Sequence, residues 1–159
     1  MIVSLPEMLD ARERRALRQQ ALLCDYRLPL ISFTMNIAGP VKDTPLIRQG
    51  FQIGLRNLEQ LLAVEGARCL HKEIIREHTG CEAILVVDRD AAALKALTES
   101  LENVTPLGRL FDMDVLAPSG EKLQRGEPRR CLLCGAVAQV CARSRTHSVL
   151  ELQEKTNRI

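Results

Sequence analysis

The apolar and polar positions of this chain change period several times, and each change marks an element. Ser4 and Glu7 stand at capping-box spacing, so a charged helix is predicted from there to about Cys24. Ile31, Phe33, Met35 and Ile37 then alternate with Ser32, Thr34 and Asn36, the period of a half-buried strand, stopped by Gly39-Pro40. Thr44-Pro45 reads as an N-cap followed by Pro at the first helical position, and Ile47, Gly50, Phe51, Gly54, Leu58 and Leu61 follow at helical spacing. Residues 66–80 fit neither period. "AILVVD" (83–88) is a short buried strand. "DAAALKALTESLEN" is a helix with Leu94, Leu97 and Leu101 on one stripe. "LGRLFDMDVL" (107–116) is the next strand, "SGE" turns after it, and a last helix carries Leu150 and Leu152.

Strands and helices mix without a strict βαβ rhythm, and neither a P-loop nor a G-x-G-x-x-G is present. The expected fold is α+β (mixed α/β): a single domain over residues 1–159, with a mixed sheet flanked by helices. The length of 159 residues suits one core, and with no Trp, one Tyr and three Phe that core must be mostly aliphatic. Few aromatics and a near balance of 22 Lys plus Arg against 20 acids argue against a nucleic-acid binder. No segment approaches the apolar length of a membrane span, and the N-terminus lacks a signal-peptide h-region, so the expected location is cytoplasmic. In that compartment six Cys are thiols or metal ligands before they are disulfides.

Two stretches carry candidate chemistry. In "PLGRLFDMDVL", Asp112 and Asp114 interrupt an apolar run. Residues two apart on a strand share a face, so the carboxylates project together, with Cα atoms roughly 7 Å apart, opposite Phe111, Met113 and Val115. Such a pair can hold a hard cation together with substrate phosphates, as in a nucleotidyltransferase-like D-x-D strand. Taken alone, the pair reads first as a solvated strand face, its acids paired with Arg109 or Arg125.

The second stretch is "RRCLLCGAVAQVCARSRTH". Cys131, Cys134, Cys141 and His147 give C-x2-C-x6-C-x5-H, a ligand set that suits tetrahedral Zn²⁺. Cys134, Ala138 and Cys141 also stand at helical spacing, and Val137, Ala138 and Val140 weigh toward a packed helix face over structural zinc. Arg129, Arg130, Arg143 and Arg145 cluster in the same segment, and guanidinium forks suit phosphate. Lys42, after a Gly-Pro turn, is placed to reach a phosphate from a loop.

"LISFT", "GPVKD", "TGCEA", "PLGRLFDMDVL" and "RRCLLCGAVAQVCARSRTH" occur in that order. Together they resemble the CitX family, the apo-citrate lyase phosphoribosyl-dephospho-CoA transferases, also called citrate lyase holo-acyl-carrier-protein synthases. The resemblance runs from about residue 5 to residue 152, and "GRLFDMDV" and "RRCLLC…CARSRTH" are its specific parts. Cys81 stands where the family pattern has Pro, and "ENVTPLG" departs before its Pro-Leu-Gly, although Lys95, Glu102 and Glu82 match.

The resemblance implies a nucleotidyl transfer. The donor would be 2′-(5″-triphosphoribosyl)-3′-dephospho-CoA, and the acceptor a Ser of the acyl-carrier (γ) subunit of citrate lyase. Diphosphate would leave. Asp112 and Asp114 would hold Mg²⁺, while Lys42, Arg109, Arg129, Arg130, Arg143 and Arg145 would bind donor phosphates. One of the aspartates, or Glu102, would take the Ser proton. Two other classes are weighed: a related D-x-D enzyme acting on another carrier, such as that of malonate decarboxylase, and a non-catalytic zinc-and-arginine module binding nucleic acid.

Overall fold

The computed structural model describes residues 1–159. Helix α1 (Leu5–Tyr26) starts at Ser4, whose side chain and backbone exchange hydrogen bonds with Glu7 in the expected capping box. Strand β1 (Leu30–Met35) follows, then helix α2 (Pro45–Val64), capped by the Thr44 hydroxyl. Residues 66–80, which fit neither period in sequence, supply strand β2 (Arg68–Glu77). A two-residue turn then leads into β3 (Gly80–Asp88). Helix α3 (Ala91–Val104) is capped by Asp90. Leu107–Leu110 forms a short 3-10 turn where the alternation had suggested strand, so β4 (Phe111–Leu116) begins later. Helices α4 (Ala138–Ser144) and α5 (Val149–Asn157) complete the chain. No helix is long and apolar enough to cross a membrane.

The four strands form one sheet in the order β2-β3-β1-β4, and every neighbouring pair is antiparallel. The expected mixed sheet is therefore not what forms. The reason lies in the connections. β1 and β2 run parallel, joined through α2, but β3 lies between them. β3 and β4 run parallel, joined through α3, but β1 lies between them. Residues 30–116 thus make two interlocked split βαβ units, the βαββαβ arrangement of ferredoxin-like folds.

Each sheet face is covered. On one side α2 and α3 bury Ile31, Phe33, Leu85, Val87, Phe111, Met113 and Val115. Gly54 lets α2 press close: a Cβ there would lie 2.6 Å from Phe33 Cζ and 2.8 Å from Phe111. On the other side α1 brings Leu22 and Leu23 onto Leu30, Ile84 and Val86. Since α1 is amphipathic and charged, it covers this face partly with Arg and Gln, and a polar strip remains between α1 and the strand ends near β4.

Strand β4 lies at the sheet edge, and side chains take the place of a fifth strand. The Met113 N–H donates to Glu102 at 2.8 Å, and Lys95 Nζ donates to the Met113 carbonyl at 3.3 Å. Arg129 donates to the Phe111 carbonyl, and the Leu123 N–H to that of Val115. Lys95, Thr98 and Glu102 are the buried polar residues of α3.

Candidate active site and cysteine cluster

The alternation read from "FDMDVL" holds: Phe111, Met113 and Val115 are buried while Asp112 and Asp114 are partly exposed. Asp112 lies opposite Thr34 and Asp114 opposite Ser32 on β1, so both carboxylates stand on the α1 side of the sheet. They have different neighbours. Asp112 shares a cleft of about 130 Å³ with Lys42, Arg12, Arg15, Thr34 and Glu82. Asp114 forms an ion pair with Lys122 at 2.7 Å. Neither pairs with Arg109 or Arg125. The guanidinium nearest Asp112 is that of Arg129, at 3.5 Å.

Lys42 donates to the Ile37 carbonyl. Burial, and then the Arg12 guanidinium, push its pKa below the usual lysine value. Arg15 and Arg18 both bond Glu82, which fixes them between α1 and β3. Arg12 and Arg15 were not among the sequence candidates. The signal was present, because Met8, Ala11, Arg12 and Arg15 recur at helical spacing on the face that α1 turns to the sheet.

Glu102 is 2% exposed and is fully engaged. Besides the Met113 N–H it accepts from Arg129 at 2.8 Å and from Arg125. Burial, reinforced by the neighbouring Arg129, lowers the Arg125 pKa. With both oxygens engaged by three donors, Glu102 is an anchor for two arginines and an edge strand.

Arg129 stands between two polar spaces. It faces Asp112 on one side and on the other lines a pocket of about 170 Å³ with Arg109, Arg125 and Arg130 and with Glu102 and Glu127. Arg109 is held there by donating to the Arg130 carbonyl. A larger groove of about 780 Å³ is lined by Arg109, Arg129, Arg130 and Arg145 together with apolar Leu132 and Leu152. Arg143 is exposed on α4 and lines neither space. The structure thus gathers Asp112 with Lys42, and Arg109 with Arg129, Arg130 and Arg145. Asp114 lies one pleat along, and Arg143 apart.

The cysteines correct an expectation. Cys134 does not share a helix face with Ala138 and Cys141, because α4 begins only at Ala138. Gly135, in the left-handed region at φ 72°, turns the chain sharply after Cys134, and a C-x-x-C followed by Gly was the sequence signal for that turn. As a result the ligand atoms of Cys131, Cys134, Cys141 and His147 all lie within 4.8 Å of one another. The His147 imidazole, then the Ala136 backbone and Cys141, pull the Cys134 thiol pKa down, while Cys134 pushes that of Cys141 up.

Fold and site together define a small α+β protein with an acid-and-lysine cleft opening beside a groove lined by guanidinium groups. Comparison with known proteins specifies it further. The model of the family described as apo-citrate lyase phosphoribosyl-dephospho-CoA transferase matches residues 3–159. Curated proteins of that name from Escherichia coli O6:K15:H31 (strain 536) and from Shigella boydii serotype 18 are each 42% identical over 154 residues, covering 94% of this chain and 84% of theirs. The chain belongs to the apo-citrate lyase phosphoribosyl-dephospho-CoA transferase family, and its class is transferase.

Proposed function

We propose that this protein transfers the 2′-(5″-phosphoribosyl)-3′-dephospho-CoA group from its triphosphate donor to a Ser of the citrate lyase acyl-carrier (γ) subunit. The observation that carries the reading is the junction at Arg129, where the Asp112–Lys42 cleft meets the arginine-lined spaces in a chain matched almost end to end by this family. The Ser oxygen attacks the α-phosphorus, a new P–O ester bond forms, and the bond to the β-phosphate oxygen breaks. Diphosphate leaves, and the Ser proton passes to a base.

Such a displacement needs in-line positioning and neutralised charge more than a covalent nucleophile, so none of the cysteines is required for it. Lys42 and Arg12 face one end of the phosphate chain. Arg109, Arg129, Arg130 and Arg145 receive the remaining phosphates, with bidentate guanidinium forks. Arg143, outside the groove, is left out of this set. Asp112 is 48% exposed by side chain and open to a hard cation, Asp114 would join it by exchanging its Lys122 partner, and two carboxylates completed by substrate phosphates suit Mg²⁺. When bound, Mg²⁺ would neutralise charge building on the leaving diphosphate. Asp112 is the better placed of the two to take the Ser proton, since it lines the cleft and Glu102 is occupied. We assign the reaction to the cytoplasm.

The test is intact-mass spectrometry of the apo γ subunit after incubation with enzyme, donor and Mg²⁺. A mass gain equal to the prosthetic group, on a Ser-containing peptide, is expected. No gain on this carrier, or a gain restricted to the malonate decarboxylase carrier, would replace the reading with that of a related transferase.

A further inference from the structure

The chain beyond β4 lacks the means to hold itself together by packing. After Val115 the buried residues are Cys131 and Cys141, and α5 buries none. More than forty residues therefore lie folded against the sheet domain with two thiols as their interior. Segments of that size without a core of their own usually rely on disulfides or a metal. Here the cysteines are free and converge with a histidine.

The local backbone is built to bring these donors together. The Leu133 N–H donates to Cys131 Sγ at 3.4 Å, and the Gly135 N–H donates to the Cys131 carbonyl at 3.3 Å. The Cys131 N–H donates to the Ala136 carbonyl at 2.6 Å, and Arg130 pairs with Val137, which closes a tight hairpin around the C-x-x-C. At the far side α4 ends at Arg145, itself left-handed at φ 47°, and the Thr146 N–H donates to the Cys141 carbonyl. That second reversal returns His147 to Cys141. His147 Nε2 is buried and has no hydrogen-bond partner. A buried imidazole nitrogen is costly when unpaired, and its natural complement among three thiols is a metal ion.

We infer that Cys131, Cys134, Cys141 and His147 are the four ligands of a structural Zn²⁺ site that staples the C-terminal segment. A tetrahedron with Zn–S bonds of about 2.3 Å has S···S edges of about 3.8 Å. The Cys134 and Cys141 sulfurs already stand 3.4 Å apart, and no donor pair exceeds 4.8 Å. Three thiolates and one imidazole, closed and tetrahedral, select zinc over the hard cations. All four positions are filled by protein, so the ion is structural and takes no part in the transfer. Its consequence for the site is positional. Arg129 and Arg130 directly precede the first ligand, and Arg145 lies between the last two. The ion thereby fixes three guanidinium groups of the groove.

The test uses the intact protein, purified under reducing conditions from zinc-supplemented cells, with metal content measured by plasma mass spectrometry. About one zinc per chain is expected. Replacement by Co²⁺ should give the visible bands of a tetrahedral thiolate site. Cys134→Ser and Cys141→Ser should fall well below one zinc per chain, while Cys24→Ser, at an exposed thiol outside the cluster, keeps it. Chelation should expose the chain after residue 117 to limited proteolysis before the sheet is lost. Zinc-free wild-type protein, a Co²⁺ spectrum without thiolate character, or a Cys134–Cys141 disulfide in the reduced preparation would each overturn the site. Because every readout is metal content, spectrum or cleavage, failure here leaves the transferase reading standing.

Discussion

Glu102→Gln is the most telling single change in the fold, because it alters charge and almost nothing else. The carboxylate is 2% exposed and accepts from the Met113 N–H and from Arg129, both at 2.8 Å, and from Arg125. A Gln carbonyl in the place of Oε1 can keep the Met113 and Arg129 bonds, but its NH₂ then takes the place of Oε2 and faces the Arg125 donor. One charge-assisted hydrogen bond, worth about 1.5–3 kcal/mol, is lost, and the bond from Arg129 loses its anionic acceptor. Arg125 and Arg129 side chains are 20% and 25% exposed, so water recovers part of that sum. The expected destabilisation is about 3 kcal/mol, the low end of what removing one partner of a buried ion pair costs. For a chain of this length that is a fall in Tm of about 6–12 °C. Thermal and urea unfolding followed by circular dichroism measure it, with Arg130→Gln as the exposed control, expected within about 0.5 kcal/mol of wild type. A loss below about 1 kcal/mol for Glu102→Gln, on the scale of an ordinary surface ion pair, would refute the anchoring role.

Asp112→Asn and Asp114→Asn should each slow transfer by at least about 100-fold, as loss of a group stabilising transition-state charge does, with Tm nearly unchanged; near-normal turnover at limiting Mg²⁺ would end the proposed metal role. Arg130→Lys keeps charge but loses the fork, so donor affinity should fall in calorimetry while carrier affinity holds; the reverse pattern would assign Arg130 to the carrier. Gly54→Ala puts a methyl 2.6 Å from Phe33 Cζ and should cost about 1–3 kcal/mol in urea unfolding; an unchanged midpoint would mean α2 can lift off the sheet freely. Glu7 is held down to a pKa of about 2, first by the Ser4 hydroxyl, so its contribution is complete above its ordinary value of 4.5 and is lost as pH falls from there toward 2; Glu7→Gln should flatten the decline of Tm over that window, and parallel curves for the two proteins would exclude the effect.

Elements whose signals are local were legible in the sequence. The Ser4–Glu7 box, the Thr44-Pro45 start and the alternation around Asp112 depend on neighbours a few residues apart, and all three form as read. Strand β2 was not legible, because it lies at an edge with neither face deeply buried and with a register shift between Cys69 and His71, so its alternation is weak. Missing β2 hid the βαββαβ order and left the sheet expected as mixed. The site divided in the same way. Asp112 and the arginines stood out by type, and the structure brings most of them close. The role of Glu102 was hidden, since its partners are 11, 23 and 27 residues away. Yet Lys95, Thr98 and Glu102 fall on the same stripe of α3 as Leu94 and Leu101, and three polar residues on a buried stripe were a readable sign of backbone awaiting partners. Helical spacing misled at Cys134, where one glycine outweighed it.

The stoppered edge of β4 also limits how this protein can meet another. A common mode of protein recognition lays an extended peptide alongside an open strand and takes its affinity from main-chain hydrogen bonds. Beside Asp112 that mode is closed, because Lys95, Glu102, Arg129 and Leu123 have already claimed the outward groups. The edge still available is β2, at the opposite side of the sheet, set with Arg68, Lys72, Glu73 and Arg76 in the manner that discourages strand stacking. Under the proposed function, a protein acceptor that presents its hydroxyl at Asp112 would be recognised there by side chains and loops, with specificity written in surface charge and shape rather than in strand register.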